Sequence, residues 1–292
     1  RSHRPQSQVS VVNFKPFDRL PIVEWATWWN DTIRRWQTEG LPKDLRRYDI
    51  YRHFGMDVYY QEWVRPRSTD CPKPEHHGAG LIKDEKDYER LRKYLYPENC
   101  VNKEAWEKWT PEHKNGDCVT WFTVEGFFWF PRTLFGIEKH LYAFYDHPEL
   151  MHRMNTDLVE HQLKVIDEIC KYTTPDFMTF AEDMSYNNGP MLSKELFDEF
   201  MKPYYKMVIP KLKERGIKVI IDSDGDISVP NYWFEDAGID GILPLERQAG
   251  VDISQLREEH TSQIYVGGYD KMVMNKGEAA IRKEFERDRK ST

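Results

Sequence analysis

The chain has 292 residues, 39% hydrophobic and 31% charged, a balance that fits a globular protein and excludes a disordered or fibrous one. Its net charge is −7 and its Lys and Arg residues form no stripe, which argues against a nucleic-acid partner or an anionic membrane surface. No apolar run reaches the ~18 residues of a membrane helix, and the start at Arg1 has no apolar h-region, so neither a membrane span nor a secretory signal is expected.

Leu20–Trp25 reads as a first strand, ending near Glu24. A short helix over 32–39 closes at Gly40, a second helical piece covers 48–54, and a strand follows at 57–62. Residues 65–80 are rich in Pro, charge and His. The charged stretch 84–116 carries helical spacing at 87–94 and 102–109, so 65–116 reads as a charged helical excursion. Val119–Phe122 is a strand, 126–132 an aromatic loop and 134–145 a helix. A long helix then starts at His147, with Leu150, Met154, Leu158, Val165 and Ile169 on one period. From there strands at 177–181, 217–221, 241–245 and 264–267 alternate with helices at 193–215, 229–237, 252–259 and 276–287. That rhythm predicts βαβ units and a parallel sheet. The chain is expected to be one (β/α)8 barrel domain over 1–292, with a doubly wound sheet as the alternative. No Gly-x-Gly-x-x-Gly follows the first strand, and there is no Walker loop. Cys71, Cys100, Cys118 and Cys170 form no Cys-x-x-Cys pair, which reads as reduced thiols in a cytoplasmic protein.

Acidic residues close one apolar run after another. Phe177–Ala181 ends on Glu182 and Asp183, Lys218–Ile221 on Asp222 and Asp224, Gly241–Leu245 on Glu246, and Ile264–Gly268 on Tyr269 and Asp270. In a parallel barrel the C-terminal strand ends open on one face, so these carboxylates should share a mouth with Glu24 and Glu62. Like charges so close raise one another's pKa. A metal ion, retained protons, or pairing with Arg132, Arg247 and Lys271 would relieve them. Of the neighbours Glu182 and Asp183 one must point away, and the reading favours Glu182 as the site residue. Asp226 and Ser228 read as helix caps. Tyr186 with Asn187-Asn188-Gly189-Pro190 reads as a turn over the mouth. His76 and His77 belong to a solvated loop, and His140, His147, His152 and His161 are expected on the exterior. The early tryptophans Trp25, Trp28, Trp29, Trp36 and Trp63 leave packing and an aromatic pocket wall both open.

Several of these segments together resemble the uroporphyrinogen decarboxylase superfamily: Phe177–Asp183, Met191–Phe197, Phe200–Tyr205, Ile221–Asp226, Ile242–Glu246, Ala249–Asp252 and Gly267–Lys271. Asp18–Ile22 and Phe144–Leu150 add to the match. The resemblance implies a (β/α)8 barrel. It also implies one of two activities: cofactor-free decarboxylation of uroporphyrinogen, or methyl transfer to or from a corrinoid protein, usually through zinc. The arginine-rich decarboxylase loop is replaced here by Glu24–Asn30, and an acidic mouth would repel a poly-acid substrate. The methyltransferase zinc segment is replaced by Asp222–Asp226, which excludes a thiolate–zinc site. Asp222, Asp224 and Glu182 remain as candidates for a harder cation. The expectation is therefore a methyltransferase moving a methyl group between a small methylated substrate and a corrinoid, on a partner protein or free. Asp222 and Asp224 would bind the substrate's polar head, and Glu182 or Glu246 would give a proton. Arg132 would orient an oxygen, Trp25, Phe128, Trp129 and Tyr186 would wall the pocket, and Asn187, Tyr269 and Asp270 would contact substrate. A decarboxylase or lyase on a small acid and a non-catalytic ligand-binding barrel are the alternatives, and a homodimer is admitted.

Overall fold

The computed structural model describes residues 9–17 and 19–288. Asp18, which opens one of the matched motifs, lies outside them, as do 289–292 of the expected charged end. Helices α1 (Asn30–Thr38) and α2 (Arg47–His53) precede strand β1 (Tyr59–Val64). Helices α3 (Glu85–Leu91) and α4 (Lys103–Lys114) precede β2 (Val119–Glu125), and α5 (Trp129–Phe135), α6 (Ile137–Asp146) and α7 (Pro148–Ile169) lead to β3 (Phe177–Ala181). A two-stranded hairpin, β4 (Ser185–Tyr186) and β5 (Gly189–Pro190), comes next, followed by α8 (Lys194–Phe200) and α9 (Lys202–Glu214). The chain continues through β6 (Lys218–Asp222), α10 (Pro230–Ala237), β7 (Gly241–Leu245), α11 (Ile253–Glu259), β8 (Ile264–Gly267) and α12 (Glu278–Asp288). The parallel sheet has six strands in the order β1-β2-β3-β6-β7-β8. This is the α/β architecture that the strand–helix rhythm predicts, and it is consistent with the barrel that the resemblance implies.

The described chain falls into two compact units. One comprises the residues up to Glu62 together with Lys103–Trp121. Its early tryptophans serve packing: Trp28 stacks on Tyr51 at 4.7 Å and meets Trp36 edge-on, while Tyr60 stacks on Trp109 at 5.2 Å. Leu20–Trp25 is not a strand. Ile22 exchanges bonds with Asp57 alone, through the Asp57 N–H and its carboxylate at 2.9 Å each, and no ladder follows. The early run is too short of partners to pair, and this removes the first of the strands read in the sequence.

The second unit comprises Trp63–Asn102 and the chain from Phe122 onward. Its sheet positions the functional side chains by parity, since alternate residues face opposite sides and registered partners face the same side. Thr123 and Thr179 share a hydrogen bond at 2.7 Å, so they lie on one face. Ala181 is registered with Asp222, and Asp222 with Leu243, on that same face. Phe180 lies on the other and packs against Phe127 and Tyr205.

The expected helices at 134–145 and 193–215 are each interrupted. Gly136 interrupts the first at φ +87°, where a Cβ would sit 2.7 Å from the Gly78 carbonyl oxygen, so only glycine lets residues 78–80 pass. The second breaks at Met201, because Pro203 opens α9 and offers no N–H to continue α8. His140 and His161 are buried, not exterior, and burial lowers their pKa to about 3 and about 4. No helix among the described residues is long and apolar enough to cross a membrane.

Candidate active site

The parity of β3 decides between Glu182 and Asp183. Glu182 follows Phe180 onto the helix side and is fully buried. Its carboxylate accepts the N–H groups of Phe127, Phe128 and Trp129 at 2.7, 2.8 and 2.9 Å, and the Tyr205 hydroxyl. Three N–H groups converging at the start of α5 turn the stretch read as an aromatic loop into a helix. Burial pushes Glu182 up to about 7, and its four donors pull it back. This carboxylate anchors α5 and leaves no oxygen for a substrate or metal, which corrects its expected roles as proton donor and cation ligand. Gly126 is the complement: a Cβ there would lie 2.1 Å from the Glu182 carboxylate.

Asp183 turns the other way. It sits at φ +42°, a left-handed conformation that costs a non-glycine residue about 1 kcal/mol or more. Its carboxylate accepts the Asp224 N–H at 3.3 Å, and its carbonyl accepts Arg132 Nη1 at 3.0 Å. Asp222 ends β6 on the same face. No donor among the described residues bonds its side chain, and burial, then the charges of Asp183 and Asp224, push it up to about 8. Asp224, more open, is pushed up to about 6 by burial, Asp183 and Glu246, against the pull of Lys271. Burial also raises Asp183.

Glu246 behaves differently. Lys271 Nζ at 2.8 Å, the Gly225 N–H at 2.9 Å and the Gln248 amide at 2.5 Å all donate to it. Burial raises it, but these donors outweigh that and leave it below the usual carboxylate range. An ion-paired, acidic carboxylate is a poor proton donor at neutral pH, which corrects the second proton-donor expectation. Of the expected counter-cations, Lys271 and Arg132 are in place. Arg247 instead pairs with Asp252 at 2.9 Å.

The β4–β5 hairpin lies over the Asp222–Asp226 turn, as the sequence suggests. The Tyr186 carbonyl accepts the Asp226 N–H at 2.9 Å, and Gly225 passes so close that a Cβ would meet Tyr186 Cα at 2.8 Å. Tyr186 and Asn187 are exposed on its tip. Trp129 is half-buried, with the Arg132 guanidinium 5.2 Å over its ring, while Phe128 is buried and packs on His140. Tyr269 packs on Phe285, and Asp270 caps the following turn through the Met272 N–H. Trp25, Glu24 and Glu62 belong to the first unit, where Trp25 takes the Tyr59 hydroxyl on its carbonyl and Glu62 takes the Trp106 indole N–H.

The face also holds a carboxylate missed in the sequence. Glu125, at the end of β2, is fully buried and paired with Arg67. It carries the same signal as the others, an acid closing an apolar strand, but the strand was read as ending at Phe122. Among the described residues no three His, Cys, Asp or Glu side chains converge to hold a metal ion, so the proposed cation set of Asp222, Asp224 and Glu182 is not assembled.

The chain is similar over most of its length to a solved methyltransferase from Methanosarcina mazei. The TM-score is 0.63 at 14% identity, with 90% of this chain and 82% of that one covered, a likeness of fold. No curated protein sequence matches it. Residues 127–290, which hold β3 and β6–β8 with Asp183, Asp222, Asp224 and Glu246, match the family described as Uroporphyrinogen decarboxylase (URO-D). The chain belongs to the uroporphyrinogen decarboxylase family.

Proposed function

We propose that the protein is a methyltransferase that moves a methyl group from a small methylated substrate to a corrinoid borne by a partner protein. The observation that carries this reading is Asp222, a carboxylate on the open face with no donor among the described residues and a proton retained to about pH 8. The fold likeness to a methyltransferase supports it. As the bond from the methyl carbon to oxygen or nitrogen breaks, its electrons stay on the heteroatom, and Asp222 gives that atom its proton. Asp224 and Asp183 receive the substrate's polar group, and Arg132, with donors to spare beside Asp183, orients an oxygen. The corrinoid supplies the electron pair that accepts the methyl group. The chain's own part is to open a mouth to it, and the loop residues Tyr186, Val229 and Met272 are 49%, 57% and 59% exposed. The donor set is all carboxylate, so a thiolate–zinc step does not fit and none is invoked.

The test is methyl transfer to cob(I)alamin with a panel of methoxylated and N-methylated donors. Turnover that Asp222→Asn lowers at least about 100-fold is expected. Absence of transfer across the panel would sink the reading. Arg132 supports a second one: its guanidinium could hold a carboxylate while Asp222 protonates the carbon that loses carbon dioxide. Release of carbon dioxide from a small acid without corrinoid distinguishes that case.

A further inference from the structure

Two arginines at the end of β1 are unused by the chemistry above. Arg67 donates from one nitrogen, Nη2, to both oxygens of buried Glu125, at 2.5 and 2.6 Å. Its Nε and Nη1 have no hydrogen-bond partner among the described residues. Arg65 lies 3.8 Å from Glu125, is 61% exposed, and makes no hydrogen bond among the described residues; its guanidinium lies 5.3 Å over Trp63. The backbone beneath them is fixed. Arg67 bridges to Leu95, the Ser68 N–H donates to the Tyr94 carbonyl at 2.8 Å, and the Tyr96 N–H donates to the Pro66 carbonyl at 3.0 Å. A buried carboxylate thus holds a guanidinium fork in one pose, and the cluster keeps a net charge of +1 (two arginines, one glutamate).

Parity places the cluster. Glu125 lies two residues beyond Thr123, which meets Thr179, so it shares the face and the strand end of Asp222. Two strand spacings separate β2 from β6, which is about 10 Å along the sheet edge.

We propose that Arg65 and Arg67 form an oxyanion-binding subsite of the candidate active site, taking a carboxylate or phosphate group on the far end of the substrate from Asp222. The planar fork suits a two-oxygen acceptor, and Trp63 beside it suits a ring that bears one. The substrate class is then a small, elongated acid whose anionic group lies about 10 Å from its reacting atom. This deepens the reading under Proposed function and rests on it only for the identity of the reacting end.

The probes are benzoate and inorganic phosphate, with neutral benzamide as control, in calorimetric titrations of the full chain without corrinoid or methyl donor. Benzoate or phosphate should bind saturably and benzamide should not. Arg65→Ala should weaken binding at least tenfold. Arg67→Ala alone strands Glu125, so it is combined with Glu125→Gln. That pair keeps the net charge but removes the fork, and should also weaken binding at least tenfold. Equal affinity for benzamide, unchanged affinity in both variants, or loss of binding only in Arg132→Ala would each overturn the subsite. A binding failure leaves methyl transfer to be judged by its own assay, and absent methyl transfer leaves the binding result standing.

Discussion

Asp222 links the chemistry of the site to the stability of the fold. Its folded pKa is raised to about 8 by burial, Asp183 and Asp224, against about 3.9 for an unfolded aspartate. Between those values the folded chain holds a proton that the unfolded chain has lost. The stability this gives is full below about pH 4 and is lost as pH rises through 8. Asp222→Asn has no such proton to lose. It is therefore expected to unfold several degrees above the parent at pH 9 and close to it at pH 5, while turnover falls at least about 100-fold. Thermal unfolding at the two pH values checks the first half, and a parent less stable at pH 5 than at pH 9 would contradict the sign. Glu182→Gln should do the opposite. An amide NH₂ would face the N–H groups that start α5, costing about 1–3 kcal/mol at neutral pH, read by denaturant unfolding, with the alkaline limb of turnover left in place. The choice between Glu182 and Asp183 was not legible in the sequence. Phe177–Ala181 is buried on both faces, as parallel strands are, so no burial alternation marks which side is open. The register with β6 and the Thr123–Thr179 pair settle it.

At the scale of elements, the strand–helix alternation from β3 to β8 was readable because each apolar run is bounded by a glycine or an acid. The helix break at Gly136 was not, because it depends on residues 78–80, distant in sequence, whereas the break at Met201 has a local cause in Pro203. The hairpin β4–β5 shows the same division. Asn187-Asn188-Gly189 announces a turn, but its seat on the Asp222–Asp226 loop follows from Gly225, at φ +87° with Ser185 and Tyr186 backbone 2.8 Å from where a Cβ would be. Gly225→Ala must push the hairpin off the loop and disturb the Gly225 N–H donated to Glu246. Substrate binding should weaken, seen as a KM raised at least severalfold. Gly189 has φ +113° but open space around it. Gly189→Ala should therefore cost about 1 kcal/mol of stability while leaving KM within twofold. Equal kinetic effects from the two variants would remove the hairpin from the site.

Over the whole molecule, the acidic mouth read from the strand ends carries cations as well, two of them expected from the sequence and two not. Arg132 and Lys271 stand among Asp183, Asp222, Asp224 and Glu246, and Arg65 and Arg67 stand with Glu125 two strands away. The arginines lay in the 65–116 stretch, whose charge gives no periodic clue to which side chains turn toward the sheet. The cluster titrates as a unit, so its pH profile should be bell-shaped, rising near 6 as Asp224 ionises and falling near 8 as Asp222 does. Lys271 pulls Asp224 downward from a side chain that is 61% exposed. Lys271→Met should thus move the acid limb of kcat/KM to higher pH, by less than about one unit because an exposed charge is well screened. In 1 M salt the Debye length shrinks to about 3 Å, so the parent and the variant should then converge. An acid limb that stays near 6 in the variant at low salt would assign that limb to a group other than Asp224. Convergence of the two profiles with salt would show that Lys271 acts on Asp224 through its charge, across two separate strand ends.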